Sequence, residues 1–194
     1  IEAASVAAIT ALSGGRVQID GTRRNDMQMI IKTYRQLGIQ LDVDEGFLYV
    51  PKHESISLSS REEDVDLSVE TSPWPAFPSD LSAIATLIAT QAQGTVLIHE
   101  KLFNNRLLFV DKLKAMGAQI VLCDPHRAVV AGPVKLRGGT VESPDIRAGM
   151  AMLIAALCAD GTSTIGNVRQ IDRGYERIDE RLRDLGAAIE RSEL

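Results

Sequence analysis

Apolar and polar positions alternate between two periods along this chain. Helical runs such as AAITAL, residues 83–90 and residues 150–158 are each followed by a small-residue step containing glycine. A short β-branched stretch comes next, in RVQI, TVLI and STI. Each then gives way to a polar loop, an amphipathic helical pattern and a Leu-Gly or Met-Gly step into a further apolar stretch. The pattern occurs three times. Copy one reads AAITALSGGRVQI, TRRND, MIIKTYRQLGIQLDV; copy two reads IATLIATQAQGTVLI, FNNRLLF, VDKLKAMGAQIVL; copy three reads MLIAALCADGTSTI, IDRGYER, IDERLRDLGAAIE. The glycines expected to end the paired helices are Gly15 and Gly38, Gly94 and Gly117, Gly161 and Gly186, at spacings of 23, 23 and 25 residues. Extended pairs fill the intervals: GFLYV, SISL and VDLSVE after copy one, and RAVVAG, VKL and GTVES after copy two. Alternating strand and helix patterns predict an α/β (α+β) layer structure of three pseudo-threefold units, over about residues 1–70, 71–138 and 139–194, in one domain.

Composition narrows the function classes. The chain has 194 residues, 45% hydrophobic and 24% charged, with a formal net charge of -5, which is globular and lacks the basic footprint of a nucleic-acid or membrane-surface binder. Neither long apolar run approaches the roughly 20 residues of a membrane span, so no membrane insertion is predicted. Two cysteines, Cys123 and Cys158, form neither a disulfide framework nor a metal-binding spacing, and a reducing, cytoplasmic setting is the default. Cys123 in a strand-like run and Cys158 in an apolar helix are expected to be buried core. His53, His99 and His126 are scattered and read as structural. The run SSREEDVDLS reads as a solvated edge, LRGGT as a turn, and Trp74 as an anchor for the loop before Asp80, with an exposed ligand platform as the alternative. Opening at Ile1, inside a helical pattern and without an initiator Met, the chain has the look of a fragment.

The polar residues collect at helix starts. Asp80 in FPSDLSA and Asp145 in SPDIRAG both stand where an N-cap belongs. Arginines enter the second helix of each copy, at Arg23-Arg24, Arg106 and Arg173, and pseudo-symmetry would put them on one rim with the helix N-termini, making an anion site. Arg147 has the wrong sign for the first turn of a helix, so Asp145 or a bound anion is expected to offset it.

At PAFPSDLSA, LFNNRLLFV, SPDIRAGM and QIDRGYERIDERLRDLGAAIE, the chain resembles the enolpyruvyl transferase family over essentially its whole length. The resemblance implies an inside-out α/β barrel of three βαβαββ-type repeats, one of two similar domains facing across a cleft. This chain would be the second domain, with the first domain as its partner outside the chain. The implied activity is transfer of the enolpyruvyl group of phosphoenolpyruvate to the 3-hydroxyl of UDP-N-acetylglucosamine, releasing phosphate, the committed step towards peptidoglycan and the cell wall. DRGYER and FNNR favour this branch over the sibling acting on shikimate 3-phosphate. A non-catalytic binding domain is the alternative of a different class.

Carried over by position, Asp80 would be the base at the acceptor hydroxyl, and Arg173 would share the catalytic work. Leu102 would touch the nucleotide sugar, and Arg106, Asp145, Arg147 and Arg173 would ring the intermediate, with Arg147 and Arg173 gripping phosphoenolpyruvate. No cofactor and no metal are implied. The family's proton-donating cysteine belongs to the first domain, and neither cysteine here matches it. Ser79, Asn104 and Pro144 depart from the family's usual threonine, glutamate and threonine.

Overall fold

The computed structural model describes residues 1–44, 46–59 and 67–192. Helix α1 (Glu2–Leu12) is followed by β1 (Val17–Asp20), α2 (Arg24–Gln36), β2 (Asp42–Asp44) and β3 (Phe47–Val50). These three strands form an antiparallel sheet in the order β1-β3-β2. Strand β4 (Leu67–Glu70) leads to a 3₁₀ turn (Ser79–Leu81), α3 (Ser82–Gln91), β5 (Gly94–His99), α4 (Val110–Ala115), β6 (Gln119–Asp124) and β7 (Arg127–Gly132). They make a second sheet in the order β4-β5-β7-β6, in which β4 and β5 run parallel across the α3 crossover. The chain continues through β8 (Thr140–Glu142), α5 (Ile146–Cys158), β9 (Thr164–Gly166), α6 (Arg169–Asp172) and α7 (Ile178–Asp184). β8 and β9 are again parallel partners across a helix.

Helices α1, α3 and α5 pack on one another, each also touching strands of its own sheet. Their sequences explain the position. Every residue from Ser82 to Thr90 of α3 is buried, as are Ala4, Ala7, Ala8 and Ala11 of α1. A helix apolar all round belongs in an interior, and small side chains allow close approach. The buried Thr86 and Thr90 hydroxyls return to the carbonyls of Ser82 and Leu87 at 2.8 and 2.7 Å, so no hydroxyl is stranded there. By contrast α2 buries one face only, through Met27, Ile30, Ile31 and Tyr34, and the Tyr34 hydroxyl donates to the Ala4 carbonyl at 3.1 Å.

Several local expectations change. The first helix stop is Gly14, at φ +73°, rather than Gly15; Gly38, Gly94, Gly117, Gly161 and Gly186 do take positive φ. SISL contributes one isolated bridge, Ser57 to Gln93, and VKL forms no strand. Cys123 is exposed on β6 and Cys158 is half-buried on α5. Trp74 is 61% exposed. Most of the expected solvated edge SSREEDVDLS lies outside the described residues. No helix among the described residues is long and apolar enough to cross a membrane.

Candidate functional site

The two aspartates with matching local sequence do different work. Asp145 is the N-cap of α5: its carboxylate accepts from the Arg147 and Ala148 backbone N–H groups at 2.7 and 3.0 Å. The anion capacity of that helix end is therefore filled by the protein itself. Asp80 caps nothing. It lies inside the 3₁₀ turn ahead of α3, and its Oδ1 accepts from Arg106 Nη1 at 3.2 Å and from Arg147 Nε. The acidic partner of Arg147 is thus Asp80, not Asp145.

Arg106 reaches this position from the loop after β5. Asn105, at φ +66°, turns the chain, and the Arg106 guanidinium lies 4.0 Å from the centroid of the Phe103 ring. Its Nη1 also donates to Ser79 Oγ at 2.8 Å. Ser79 Oγ in turn donates to Glu100 Oε2 at 2.7 Å. Partial burial is the largest single influence on Asp80 and raises its pKa. Hydrogen bonds and charge from Arg147 and then Arg106 outweigh it, leaving the carboxyl below its ordinary value.

Asp80 and Arg147 line a cleft of about 220 Å³ together with Ile146, Gly174 and Tyr175, and with Ile1 and Glu2 at its edge. Tyr175 is almost wholly buried, and its hydroxyl is 2.8 Å from Ser5 Oγ, which ties the 173–177 loop to α1. Burial pushes the Tyr175 phenol up.

Asp80, Arg106 and Arg147 therefore meet directly, and Asp145 fixes the backbone of Arg147. Arg173 precedes the cleft residue Gly174, but its guanidinium donates to Gln170 Oε1 at 3.1 Å. Leu102 is 40% exposed on the Arg106 loop, beside exposed Phe103. None of Arg23, Arg24, Arg106 and Arg173 is itself part of the cleft lining, and of these four Arg106 is the one that bonds Asp80, so the three copies do not contribute equivalent arginines. Neither cysteine lines it, and burial holds the Cys158 thiol at about 12. Sequence reasoning missed Ser79 as a bridge, Tyr175 and Glu100. Only Tyr175 carried a signal, as the one aromatic residue in the quoted DRGYER segment.

Residues 1–182 match the family described as EPSP synthase (3-phosphoshikimate 1-carboxyvinyltransferase). The chain is 49% identical over 191 residues to the UDP-N-acetylglucosamine 1-carboxyvinyltransferase of Bradyrhizobium diazoefficiens, covering 98% of this chain and 44% of that protein. It is 46% identical over 193 residues to the protein of the same name from Treponema denticola, covering 100% of this chain and 45% of that one. The fold is similar to the crystal structure of the enolpyruvyl transferase NikO from Streptomyces tendae, with TM-score 0.83 at 23% identity over 97% of this chain and 43% of that chain. An EPSP synthase from Acinetobacter baumannii superposes at TM-score 0.68 and 18% identity, over 98% of this chain and 46% of that chain. The chain thus spans less than half the length of these relatives.

Proposed function

Because this chain belongs to the EPSP synthase family of carboxyvinyl transferases, we propose that it is part of an enzyme transferring the enolpyruvyl group of phosphoenolpyruvate to the 3-hydroxyl of UDP-N-acetylglucosamine. Phosphate is released, and the step serves peptidoglycan synthesis in the cytoplasm. The observation that carries the reading is Asp80 held between two guanidiniums at the wall of a cleft. In the same reading, the mutually packed α1, α3 and α5 are the inside of an inside-out barrel. Its three units cover about residues 1–70, 71–138 and 139–194, and a first domain supplies the facing wall.

The transfer needs two proton movements. The acceptor hydroxyl oxygen bonds to C2 of phosphoenolpyruvate and gives up its proton, while the methylene carbon gains one. The tetrahedral adduct then loses a proton from that carbon and expels phosphate. Both arginine contacts fall on Oδ1 of Asp80, and Oδ2 is the oxygen we assign to the acceptor hydroxyl. Arg147 and Arg106 are suited to grip the phosphate and carboxylate of phosphoenolpyruvate, because a guanidinium binds such groups with a planar pair of donors. While they also hold Asp80 they keep it a weak base. An arriving anion that draws on the same guanidiniums relaxes that hold and raises its basicity as the substrate is seated. Arg173 joins by exchanging Gln170 for substrate, Asp145 keeps Arg147 in place, and Leu102 offers the sugar an apolar contact. No metal or cofactor is assigned a part.

The test is phosphate release from phosphoenolpyruvate by the complete gene product, with UDP-N-acetylglucosamine and shikimate 3-phosphate offered separately. Release only with the nucleotide sugar is expected. Release only with shikimate 3-phosphate keeps the chemistry and changes the acceptor, and silence with both refutes the reading. Asp80→Ala and Arg147→Ala are each expected to lower kcat by about 10²-fold or more, and full activity in either variant removes that residue from the site.

A further inference from the structure

Glu100 follows β5 directly and is completely buried, at 0% exposure. Among the described residues, no lysine or arginine pairs with its carboxylate directly. Both oxygens are nonetheless engaged: Oε2 accepts from Ser79 Oγ at 2.7 Å, and Oε1 accepts from the Leu102 backbone N–H at 3.0 Å. The backbone around it is equally tied. Glu100 N donates to the His126 carbonyl at 2.8 Å, the Glu100 carbonyl lies 2.7 Å from His126 Nδ1, and Lys101 N donates to the Thr71 hydroxyl at 3.0 Å. A buried carboxylate is costly unless its acceptor capacity is used, and here that capacity faces the candidate site from behind.

The direction of the Ser79 hydroxyl gives this arrangement its consequence. A hydroxyl has one proton. Because Ser79 donates that proton to Glu100, its lone pairs face Arg106 Nη1, which donates to Ser79 Oγ at 2.8 Å and to Asp80 Oδ1 at 3.2 Å. Resting on the transferase reading above, we propose that Glu100 is a positioning residue for that reaction. Through Ser79 it fixes Arg106 against Asp80, and through Leu102 it fixes the loop that presents Leu102 and Phe103.

A glutamine cannot replace it. With its oxygen towards Ser79, its amide N–H groups oppose the Leu102 N–H. With its oxygen towards Leu102, its amide donates to Ser79 Oγ, whose two lone pairs must then serve both that amide and Arg106 Nη1, and the hydroxyl proton loses its acceptor. The first arrangement opposes a donor with a donor, and the second strands the Ser79 proton in the interior.

The experiment compares Glu100→Gln, Ser79→Ala, Ser79→Thr and the double variant Glu100→Gln/Ser79→Ala in the complete gene product. Glu100→Gln and Ser79→Ala are each expected to lower kcat by roughly 10- to 100-fold, with KM for phosphoenolpyruvate moving by only a few-fold. The double variant should be little worse than either single, because both break one chain of contacts. Ser79→Thr, which restores the hydroxyl, should recover most of the rate lost in Ser79→Ala. Unchanged kcat in Glu100→Gln, additive losses, or no recovery in Ser79→Thr overturns the proposal.

Nuclear magnetic resonance of the Arg106 guanidinium gives a readout that needs no turnover. Its N–H signals should be slow to exchange in the wild type and in Ser79→Thr, and lost in Ser79→Ala and Glu100→Gln. Should the wild type prove silent with both acceptors, the transferase reading fails. The guanidinium signals then decide the Glu100–Ser79–Arg106 link: unchanged signals in the two variants overturn it, and their loss upholds the link alone.

Discussion

Replacing Gly149 by alanine should destabilise the protein, although helix propensity alone says the opposite. Gly149 is inside α5, where alanine is favoured over glycine by about 1 kcal/mol. A Cβ at this position would lie 2.1 Å from Ser143 Oγ, 2.8 Å from Ile171 Cγ1 and 3.2 Å from Ser143 Cβ. Ser143 is fully buried with its hydroxyl donating to the Asp145 carbonyl at 3.2 Å, and Ile171 is 3% exposed, so neither can swing into solvent. Overpacking of this kind costs about 1–3 kcal/mol, and losing the Ser143 hydrogen bond adds about 1 kcal/mol. Set against the propensity gain, the net is a loss of about 1–3 kcal/mol. With a urea m-value of about 2 kcal/mol/M, the unfolding midpoint should fall by about 0.5–1.5 M. Far-UV circular dichroism is the suitable probe, because the lone Trp74 is largely exposed. The same substitution should cost less in a Ser143→Ala background, which removes the shortest contact. A midpoint equal to or above wild type, or a cost unaffected by Ser143→Ala, would refute the reasoning.

Further expectations concern the charged and thiol groups. Asp80 has a folded pKa below its ordinary 3.8, so the stability from its ion pairs is present above that value and is lost as pH falls through the lower folded one. The difference in urea midpoint between wild type and Asp80→Asn should therefore shrink from about pH 6 to about pH 2, and a gap independent of pH would count against the pairing. Asp145→Ala should lower stability by about 1 kcal/mol and Asp145→Ser should restore most of it; equal stability of the two variants would remove the capping role. Iodoacetamide at about pH 8 should label exposed Cys123 in the native protein and spare Cys158, whose thiol burial holds at about 12. Equal labelling by mass spectrometry would contradict that assignment.

Much of the fold was legible because its signals are local. The apolar runs of α3 and α5, the one-sided pattern of α2 and the glycine steps after helices each depend on residues within a turn or two of one another. Where expectation failed, a distant partner was needed. SISL has strand composition but, among the described residues, forms a single isolated bridge between Ser57 and Gln93, and alternation alone makes no strand without a ladder. Cys123 sits in a true strand, yet on its outward face.

At the candidate site, local pattern is enough to place a carboxylate at the entries to α3 and α5. Helix-entry chemistry does not separate Asp80 from Asp145, since FPSD and SPDI read alike, and only the family resemblance set Asp80 apart as the base. It took the folded chain to show that Asp145 closes its own helix while Asp80 receives guanidiniums from 26 and 67 residues further along. Glu100 makes the same point from the interior: nothing in HEKLF marks it as buried, and only folding brings Ser79 to it. The difference is one of range. Capping and periodicity act between neighbours in sequence, whereas a hydrogen bond or ion pair acts over about 3–4 Å of space, and which side chains come that close is settled by how α1, α3 and α5 pack together.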